Sequence, residues 1–176
     1  ALSKATPENV IVWSAVTAFF GIVCFLLYRS GRLKMSKAIA LPVFIFYLSF
    51  VLTITIFERV PTQNPRYELT LFWSYRAIIN GMTRLIAENF WNIILFIPIG
   101  ILLSVLISQK NAWFSIILSL ILSAALEVTQ LITHRGLFEF DDIIHNVLGA
   151  VIGVMLYMLS KNLREKFQDR KKEKGK

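Results

Sequence analysis

A carboxylate and an amide stand three residues apart in the segment Glu127-Val-Thr-Gln130, which lies inside an apolar stretch. This spacing puts both side chains on one face of a helix. Because an isolated charge is costly to bury, we expect the Glu127 carboxyl either to be protonated or to be paired with a cation. Such a group can bind a polar ligand or transfer a proton, and we favour a functional role over a purely structural one.

Four more polar residues cluster where the next apolar stretch begins. Asp141 and Asp142 come directly before it, and His145 and Asn146 follow within four residues. A carboxylate at the start of a helix can accept hydrogen bonds from free backbone N–H groups, so we expect one aspartate to cap this helix. The other aspartate needs a different explanation. A Gly-x-x-x-Gly pattern from Gly149 onward predicts close approach of a second helix.

Asparagines also occur in an earlier apolar stretch. Asn89 and Asn92 are three residues apart and therefore share a helix face, and Pro98 follows them. Because proline has no backbone N–H and its ring obstructs the preceding turn, we expect it to kink or break this helix.

Two ways of balancing the buried acids follow from the sequence. Arg135 is close enough along the chain to pair bidentately with Glu127 or Asp142. Alternatively, Asp142 and His145 could join Glu127 around a metal ion, but no His-x-x-x-His or multi-cysteine pattern accompanies them. We therefore expect no metal and no other cofactor, and no serine has the sequence context of a catalytic nucleophile.

The elements that carry these residues are predicted to be membrane-spanning helices. The chain has 176 residues, of which 56% are hydrophobic and only 17% charged, a composition too apolar for a soluble domain. A helix that crosses about 30 Å of hydrocarbon needs roughly 20 apolar residues. Five stretches qualify: residues 10–28, 38–57, 89–108, 112–133 and 143–160. We predict an all-α, polytopic membrane bundle of about five transmembrane helices, with one domain over residues 1–160 and a basic tail over residues 161–176.

Lys and Arg residues are distributed unequally between the two sides of this topology. Four in the loop 29–37, one at Lys110 and eight in the tail share one side, whereas the opposite side holds six. The positive-inside rule then places the tail in the cytoplasm and the N-terminus outside. Since the basic excess is concentrated in a tail beside the membrane, we expect no nucleic-acid partner.

The segment between the second and third spans has apolar residues at helical spacing over residues 69–88. We predict a helix that lies on the outer membrane interface. It could be a lid or ligand platform, or simply a connector packed on the bundle.

With this orientation, the polar residues of the last three spans meet at the outer ends of their helices. They predict one outward-facing pocket for a polar or zwitterionic head group. The expected ligand-binding residues are Asn92, Glu127, Gln130, Arg135, Asp141, Asp142, His145 and Asn146. If the pocket is catalytic, the candidates are Glu127 or Asp142 as general base and Arg135 as the group that holds a phosphate or developing negative charge.

The order of these motifs resembles the VanZ-like family. The resemblance is carried by Asn92 to Gly100, which reads Asn-x-x-x-Phe-x-Pro-x-Gly, by Glu127 with Gln130, and by Arg135 to Gly153. It implies a multi-pass protein of the bacterial cytoplasmic membrane, in a family whose founding member accompanies glycopeptide-resistance genes and protects weakly against teicoplanin. The polar residues that the resemblance implies are Asn92, Glu127, Gln130, Arg135, Asp141, Asp142 and Asn146. His145 is not among them.

Three functions are compatible with this resemblance. In the first, the pocket holds a membrane lipid, a lipid-linked cell-wall precursor or the antibiotic itself, and thereby lowers susceptibility to lipoglycopeptides such as teicoplanin. In the second, a small intramembrane enzyme modifies an envelope lipid or precursor, so whether the protein is an enzyme stays open. The third, a transporter with a helix broken at Pro98, is least favoured because the inner halves of the spans have few polar residues. The natural ligand and the oligomeric state do not follow from the sequence.

Overall fold

Helices account for nearly all of the regular structure in this chain. The computed structural model describes residues 7–107 and 112–174, with side chains over 11–107 and 113–172. The turn at Lys110 and the first six residues, on which part of the predicted charge asymmetry rests, lie outside the described residues. In chain order the elements are α1 (Pro7–Arg29), α2 (Met35–Leu52), a π-helical segment (Thr53–Phe57), β1 (Tyr67–Glu68), α3 (Trp73–Ile79), α4 (Arg84–Leu106), α5 (Ala112–Thr133), β2 (Phe138–Glu139) and α6 (Phe140–Lys174).

Five of these helical stretches are long and apolar enough to cross a membrane. They are Ile11–Arg29, Met35–Phe57, Arg84–Leu106, Trp113–Thr133 and Phe140–Lys172. Each corresponds to one of the five predicted spans, so the prediction of an all-α, five-span membrane bundle is confirmed. The side of the membrane on which each terminus lies stays a prediction.

The fifth span is longer than its apolar stretch. The helix begins at Phe140, three residues before the predicted start, and continues without interruption to Lys174. Its 35 residues would extend over about 52 Å at the usual helical rise, whereas a bilayer core is about 30 Å thick. The basic tail, as far as it is described, is therefore a continuation of the spanning helix.

Two helices replace the single helix expected over residues 69–88. α3 ends at Ile79, and α4 begins only at Arg84. Between them Gly81 has φ +100°, a backbone conformation that glycine adopts readily and other residues rarely do. The apolar spacing happens to continue across this turn, which is why the periodicity did not indicate the break.

Pro98 does not break its helix, which was one of the two outcomes we expected, and the other, a kink, stays a prediction. α4 continues through it from Arg84 to Leu106. Prolines are tolerated in membrane helices where neighbouring helices satisfy and support the backbone. Here the Tyr47 hydroxyl on α2 donates a hydrogen bond of 2.9 Å to the carbonyl oxygen of Leu95, in the turn before the proline.

The helices α4 and α6 make the most extensive contact in the bundle. At Gly149 and Gly153 on α6, an added Cβ would run into the backbone carbonyls of Ile93 and Ile97 on α4. The predicted close approach at the Gly-x-x-x-Gly pattern is confirmed, and α4 is the partner. Because these two helices are locked together, the polar residues at their adjoining ends have fixed relative positions.

Candidate functional site

A narrow cleft opens at the end of the bundle where α2 and α5 end and where α4 and α6 begin. We call this the polar cleft. Its lining comprises the polar residues Thr55, Arg59, Asn92, Glu127, Gln130, Asp142 and Asn146 and the apolar residues Val51, Leu95, Phe96 and Leu126. The free space inside is about 10 Å³, which is room for about one water molecule.

Five of the eight predicted binding residues line this cleft. α4 supplies Asn92, α5 supplies Glu127 and Gln130, and α6 supplies Asp142 and Asn146. The three- and four-residue spacings put the side chains of each helix on one face, and the packing of the helices brings the faces together. The structure therefore gathers in one place residues that lie as far as 54 positions apart in the chain.

Three cleft residues are almost fully buried. Glu127 is 2% exposed, Gln130 3% and Asn146 5%. Glu127 Oε2 accepts a hydrogen bond of 3.1 Å from the backbone N–H of Glu139, and Asn146 Nδ2 donates one of 2.9 Å to Ser123 Oγ. Within the described part of the chain, Glu127 Oε1, Gln130 Nε2 and Asn146 Oδ1 have no protein partner. These three atoms remain available to a ligand or to water.

Arg59 is the cation of the polar cleft, and our sequence reasoning missed it. Its Nη1 donates to Gln130 Oε1 at 3.4 Å, and the residue is exposed. Among the side chains of residues 11–107 and 113–172, no lysine or arginine nitrogen lies within 4.0 Å of the carboxylates of Glu127 or Asp142. Arg59 comes two residues after the second span, at the polar end of the bundle, and this position in the sequence could have identified it as a cleft residue.

Arg135 is not in the cleft, and its predicted ion pair with Glu127 or Asp142 does not form. Its Nη1 instead donates to the backbone carbonyls of Phe57, at 2.9 Å, and Arg59, at 3.4 Å. Carbonyls at the end of a helix have no partner within that helix, so a cation is favourable there. Arg135 thus fixes the end of the π-helical segment from which Arg59 reaches the cleft.

Asp141 caps a helix, but the helix is α3 and not its own. Asp141 Oδ1 accepts from the backbone N–H of Phe72 at 2.6 Å, and Oδ2 accepts from the backbone N–H and the hydroxyl of Ser74 at 2.9 and 2.7 Å. No side chain at the residue before α3 provides a cap. Phe72 also has φ 60°, an unusual conformation for a bulky residue, and the hydrogen bond to its N–H holds it there.

His145 and Asn89 also belong to this neighbourhood of α3, outside the cleft. His145 Nε2 is 2.8 Å from the hydroxyl of Tyr75, and Asn89 Nδ2 donates to Ser74 Oγ at 3.2 Å. Together with Asp141 they dock α3 on the bundle. The single predicted pocket is therefore two clusters: the polar cleft and this α3 docking cluster.

Glu139 connects the two clusters and was absent from the predicted site. Its backbone N–H donates to Glu127, and its Oε2 accepts from Trp73 Nε1 at 2.9 Å. Burial and repulsion from the nearby Asp142 carboxylate raise the pKa of Glu139 to about 7. Its position is fixed by the short parallel pairing of β2 with β1, where Glu139 stands opposite Glu68.

The arrangement suits recognition of a small polar group or a proton transfer. It offers two carboxylates, three amides and one guanidinium at the end of a water-sized space. Over the residues that the structure describes, no group of three His, Cys, Asp or Glu side chains is positioned to hold a metal ion. The groups that line the cleft can form hydrogen bonds and charge pairs with a small polar group.

Comparison with known proteins agrees with the order of motifs. Residues 38–161 match the VanZ/LLP1 family. "Protein VanZ" from Enterococcus faecium is 36% identical over 80 residues, which cover 45% of this chain and 50% of that protein. The chain thus spans about half the length of this relative. No solved structure matches the chain. The family match runs from α2 into α6 and includes every residue of the polar cleft, so this bacterial multi-pass membrane protein belongs to the VanZ/LLP1 family.

Proposed function

We propose that this protein lowers susceptibility to lipoglycopeptide antibiotics such as teicoplanin by binding a polar head group in the polar cleft. The bound molecule is a membrane lipid, a lipid-linked cell-wall precursor or the antibiotic itself. The observation that carries the proposal is the convergence of Asn92, Glu127, Gln130, Asp142 and Asn146, from three separate helices, on one cleft. Membership of the VanZ/LLP1 family supports the resistance role.

The free-energy cost of placing charged side chains in a membrane supports a binding role for these residues. Charged side chains in membrane helices are disfavoured by roughly 2.5–3.5 kcal/mol each on insertion scales, so they persist where they have a partner or a function. Glu127 is 2% exposed and has only a backbone N–H as hydrogen-bond partner among the described residues. A protein that needed only a packed bundle would be more stable with apolar residues there.

The orientation predicted from Lys and Arg supports an outward-facing cleft. With the basic tail in the cytoplasm, the polar end of the bundle faces the side where glycopeptides act. The space in the cleft admits only the tip of a head group, so an attached acyl chain would lie in the lipid around the helices. Teicoplanin carries an acyl chain and vancomycin does not, which predicts selective protection.

The test is the susceptibility of one bacterial host to teicoplanin and vancomycin. The host expresses the unmodified protein, Glu127→Gln, or the matched control Glu165→Gln, in which an exposed carboxylate paired with Lys161 at 3.2 Å is changed. All three proteins are brought to equal levels in the membrane. We expect teicoplanin-selective protection with the unmodified protein and the control, and at least a fourfold loss of that protection with Glu127→Gln.

Two results would contradict the proposal. Absence of protection by the unmodified protein would remove the resistance role. Equal protection by Glu127→Gln and the unmodified protein would remove the cleft from it.

A small intramembrane enzyme that modifies an envelope lipid or precursor is the second candidate. It is favoured by Glu127 and Asp142 lining one cleft with no cation within 4.0 Å of either in the described chain, which leaves a general base available. Arg59 would replace Arg135 as the group that stabilises negative charge. Mass spectrometry of envelope lipids and precursors, with and without the protein, distinguishes this function, since a binding protein leaves both profiles unchanged.

A further inference from the structure

We propose that the polar cleft recognises a primary ammonium group attached close to an anionic group, as in an ethanolamine phosphate head group. The ammonium enters the cleft between the carboxylates, and the anion stays at the mouth beside Arg59. This inference rests on the proposed binding function and names the chemistry of the ligand.

The inner part of the cleft is suited to a cation. Glu127 and Asp142 both line it, and neither has a lysine or arginine nitrogen within 4.0 Å over the described residues. Two carboxylates that share a narrow site repel one another, and a positive charge between them relieves that repulsion. Arg59 stands at the mouth and does not contact either carboxylate, so the bound ammonium supplies the positive charge between them.

Free hydrogen-bonding atoms in the cleft match an ammonium group. Glu127 Oε1 and Asn146 Oδ1 are acceptors without a protein partner in the described structure, although their side chains are 98% and 95% buried. An ammonium group has three N–H donors and no acceptor. These two oxygens and the Asp142 carboxylate provide one acceptor for each donor.

The mouth of the cleft is suited to an anion. Arg59 is exposed, and its guanidinium makes one side-chain hydrogen bond among the described residues, to Gln130 Oε1. A guanidinium has five N–H donors in a planar fork, which fits phosphate or carboxylate oxygens. Arg135 holds the backbone carbonyl of Arg59, so the main chain that carries this cation is held beside the cleft.

The size of the cleft selects the kind of ammonium group. Its free space of about 10 Å³ is close to that of one water molecule, and an –NH₃⁺ group has about the same size. A trimethylammonium group is several times larger and has no N–H to donate. The cleft should therefore distinguish ethanolamine-type from choline-type head groups.

The first experiment measures binding of soluble probes to the full chain in phosphatidylglycerol nanodiscs by isothermal titration calorimetry. The probes are phosphoethanolamine, phosphocholine, glycerol phosphate and ethanolamine. We expect phosphoethanolamine to bind at least tenfold more tightly than each of the other three. Equal binding of phosphoethanolamine and phosphocholine, together with equal retention of the two lipids in the second arm, would overturn the inference.

A second arm tests whether the head group has to be part of a lipid. The protein is reconstituted with equal amounts of phosphatidylethanolamine and phosphatidylcholine that carry identical acyl chains, and retained lipids are measured by native mass spectrometry. Selective retention of phosphatidylethanolamine identifies a lipid source, whereas selective binding in the soluble arm alone identifies a free ligand. If neither arm favours the primary ammonium, the inference is wrong.

Variants separate the two ends of the ligand. Glu127→Gln should weaken binding of ethanolamine and phosphoethanolamine alike, whereas Arg59→Gln should weaken binding of phosphoethanolamine about tenfold without weakening that of ethanolamine. Arg76→Gln is the matched control, because Arg76 is exposed on α3 and does not line the cleft. An equal effect of Arg59→Gln and Arg76→Gln would overturn the role of Arg59.

Failure of the inference differs from failure of the proposed function. Selective binding of phosphoethanolamine without protection against teicoplanin would leave the inference standing and remove the resistance role. Protection that depends on Glu127, combined with no preference for the primary ammonium in either arm, would leave the resistance role standing and overturn the inference.

Discussion

Two adjacent aspartates have different roles in this protein. Asp141 is 1% exposed and accepts three hydrogen bonds at the start of α3, two of them from the backbone N–H groups of Phe72 and Ser74. Asp142 points into the polar cleft, where it has no cation within 4.0 Å in the described chain. One aspartate is a structural cap, although of α3 and not of its own helix as we predicted, and the other is a candidate binding residue.

Asp141→Asn should destabilise the protein by about 2–3 kcal/mol, because an amide offers one acceptor where the carboxylate offers two and turns its NH₂ toward N–H donors. Asp142→Asn should leave stability unchanged or raise it, because it removes a half-buried charge without an ionic partner. Thermal unfolding in nanodiscs, followed by tryptophan fluorescence, compares the two. A larger loss of stability in Asp142→Asn would contradict this division of roles.

The sequence indicated which residue types matter but could not assign their partners. Glu127, Gln130, Asp142 and Asn146 were recognised because polar side chains in apolar helices are unusual. Arg59 was missed because it follows a span as an ordinary loop residue, and Arg135 was wrongly paired. Both errors concern contacts over more than 70 residues of chain, which spacing along one helix does not determine.

At the scale of elements, the contact between α4 and α6 positions the cleft. Asn92 on α4 faces Asp142 and Asn146 on α6, and the two helices touch through Gly149 and Gly153 just below them. In a membrane, large apolar side chains pack against lipid as well as against a second helix. Close backbone approach at small residues therefore favours the contact between helices. The Gly-x-x-x-Gly pattern therefore sets the width of the cleft.

Gly149→Ala should separate α4 from α6, because the added Cβ would collide with the carbonyl of Ile93. We expect a loss of about 1–3 kcal/mol of stability together with loss of function in the cleft. Gly21→Ala on α1 is the control, since nothing lies within 4 Å of its Cβ position, and it should be neutral or slightly stabilising. Unfolding temperature and susceptibility to teicoplanin report the two effects, and a fully stable Gly149→Ala would rule out this account of the packing.

Short elements at the polar end were harder to predict than the spans. The β1 and β2 strands are two residues each, and α3 has seven residues. Their stability comes from Asp141, Trp73 and Glu139 contacts with distant segments, which leave no periodic pattern in the sequence. The turn at Gly81 was concealed by apolar residues that keep their spacing on both sides of it.

For the whole molecule, the direction in which the cleft faces follows from charge. The described α6 carries Lys and Arg well beyond the apolar part of the span, and this end should be cytoplasmic. The polar cleft lies at the opposite end of the bundle. It should therefore open toward the cell exterior.

Single-cysteine reporters test this orientation. In a Cys24→Ser background, Gln63→Cys marks the exposed loop before β1, and Gln168→Cys marks the exposed end of α6. A membrane-impermeant maleimide should label the first in intact cells and the second only after the membrane is opened. The reverse pattern would turn the cleft toward the cytoplasm and contradict the proposed function.

The sequence by itself determined that lipid surrounds the chain, how many helices span the membrane and which polar residues are unusual there. These features depend on composition and local spacing, since lipid requires long apolar helices and makes each buried polar group conspicuous. Only the tertiary structure decided that those residues divide into two clusters, that Arg59 is the cation of the cleft and that Asp141 caps α3. Hydrogen bonds and charge pairs act over a few ångströms in space, and packing of the helices alone determines which residues come that close.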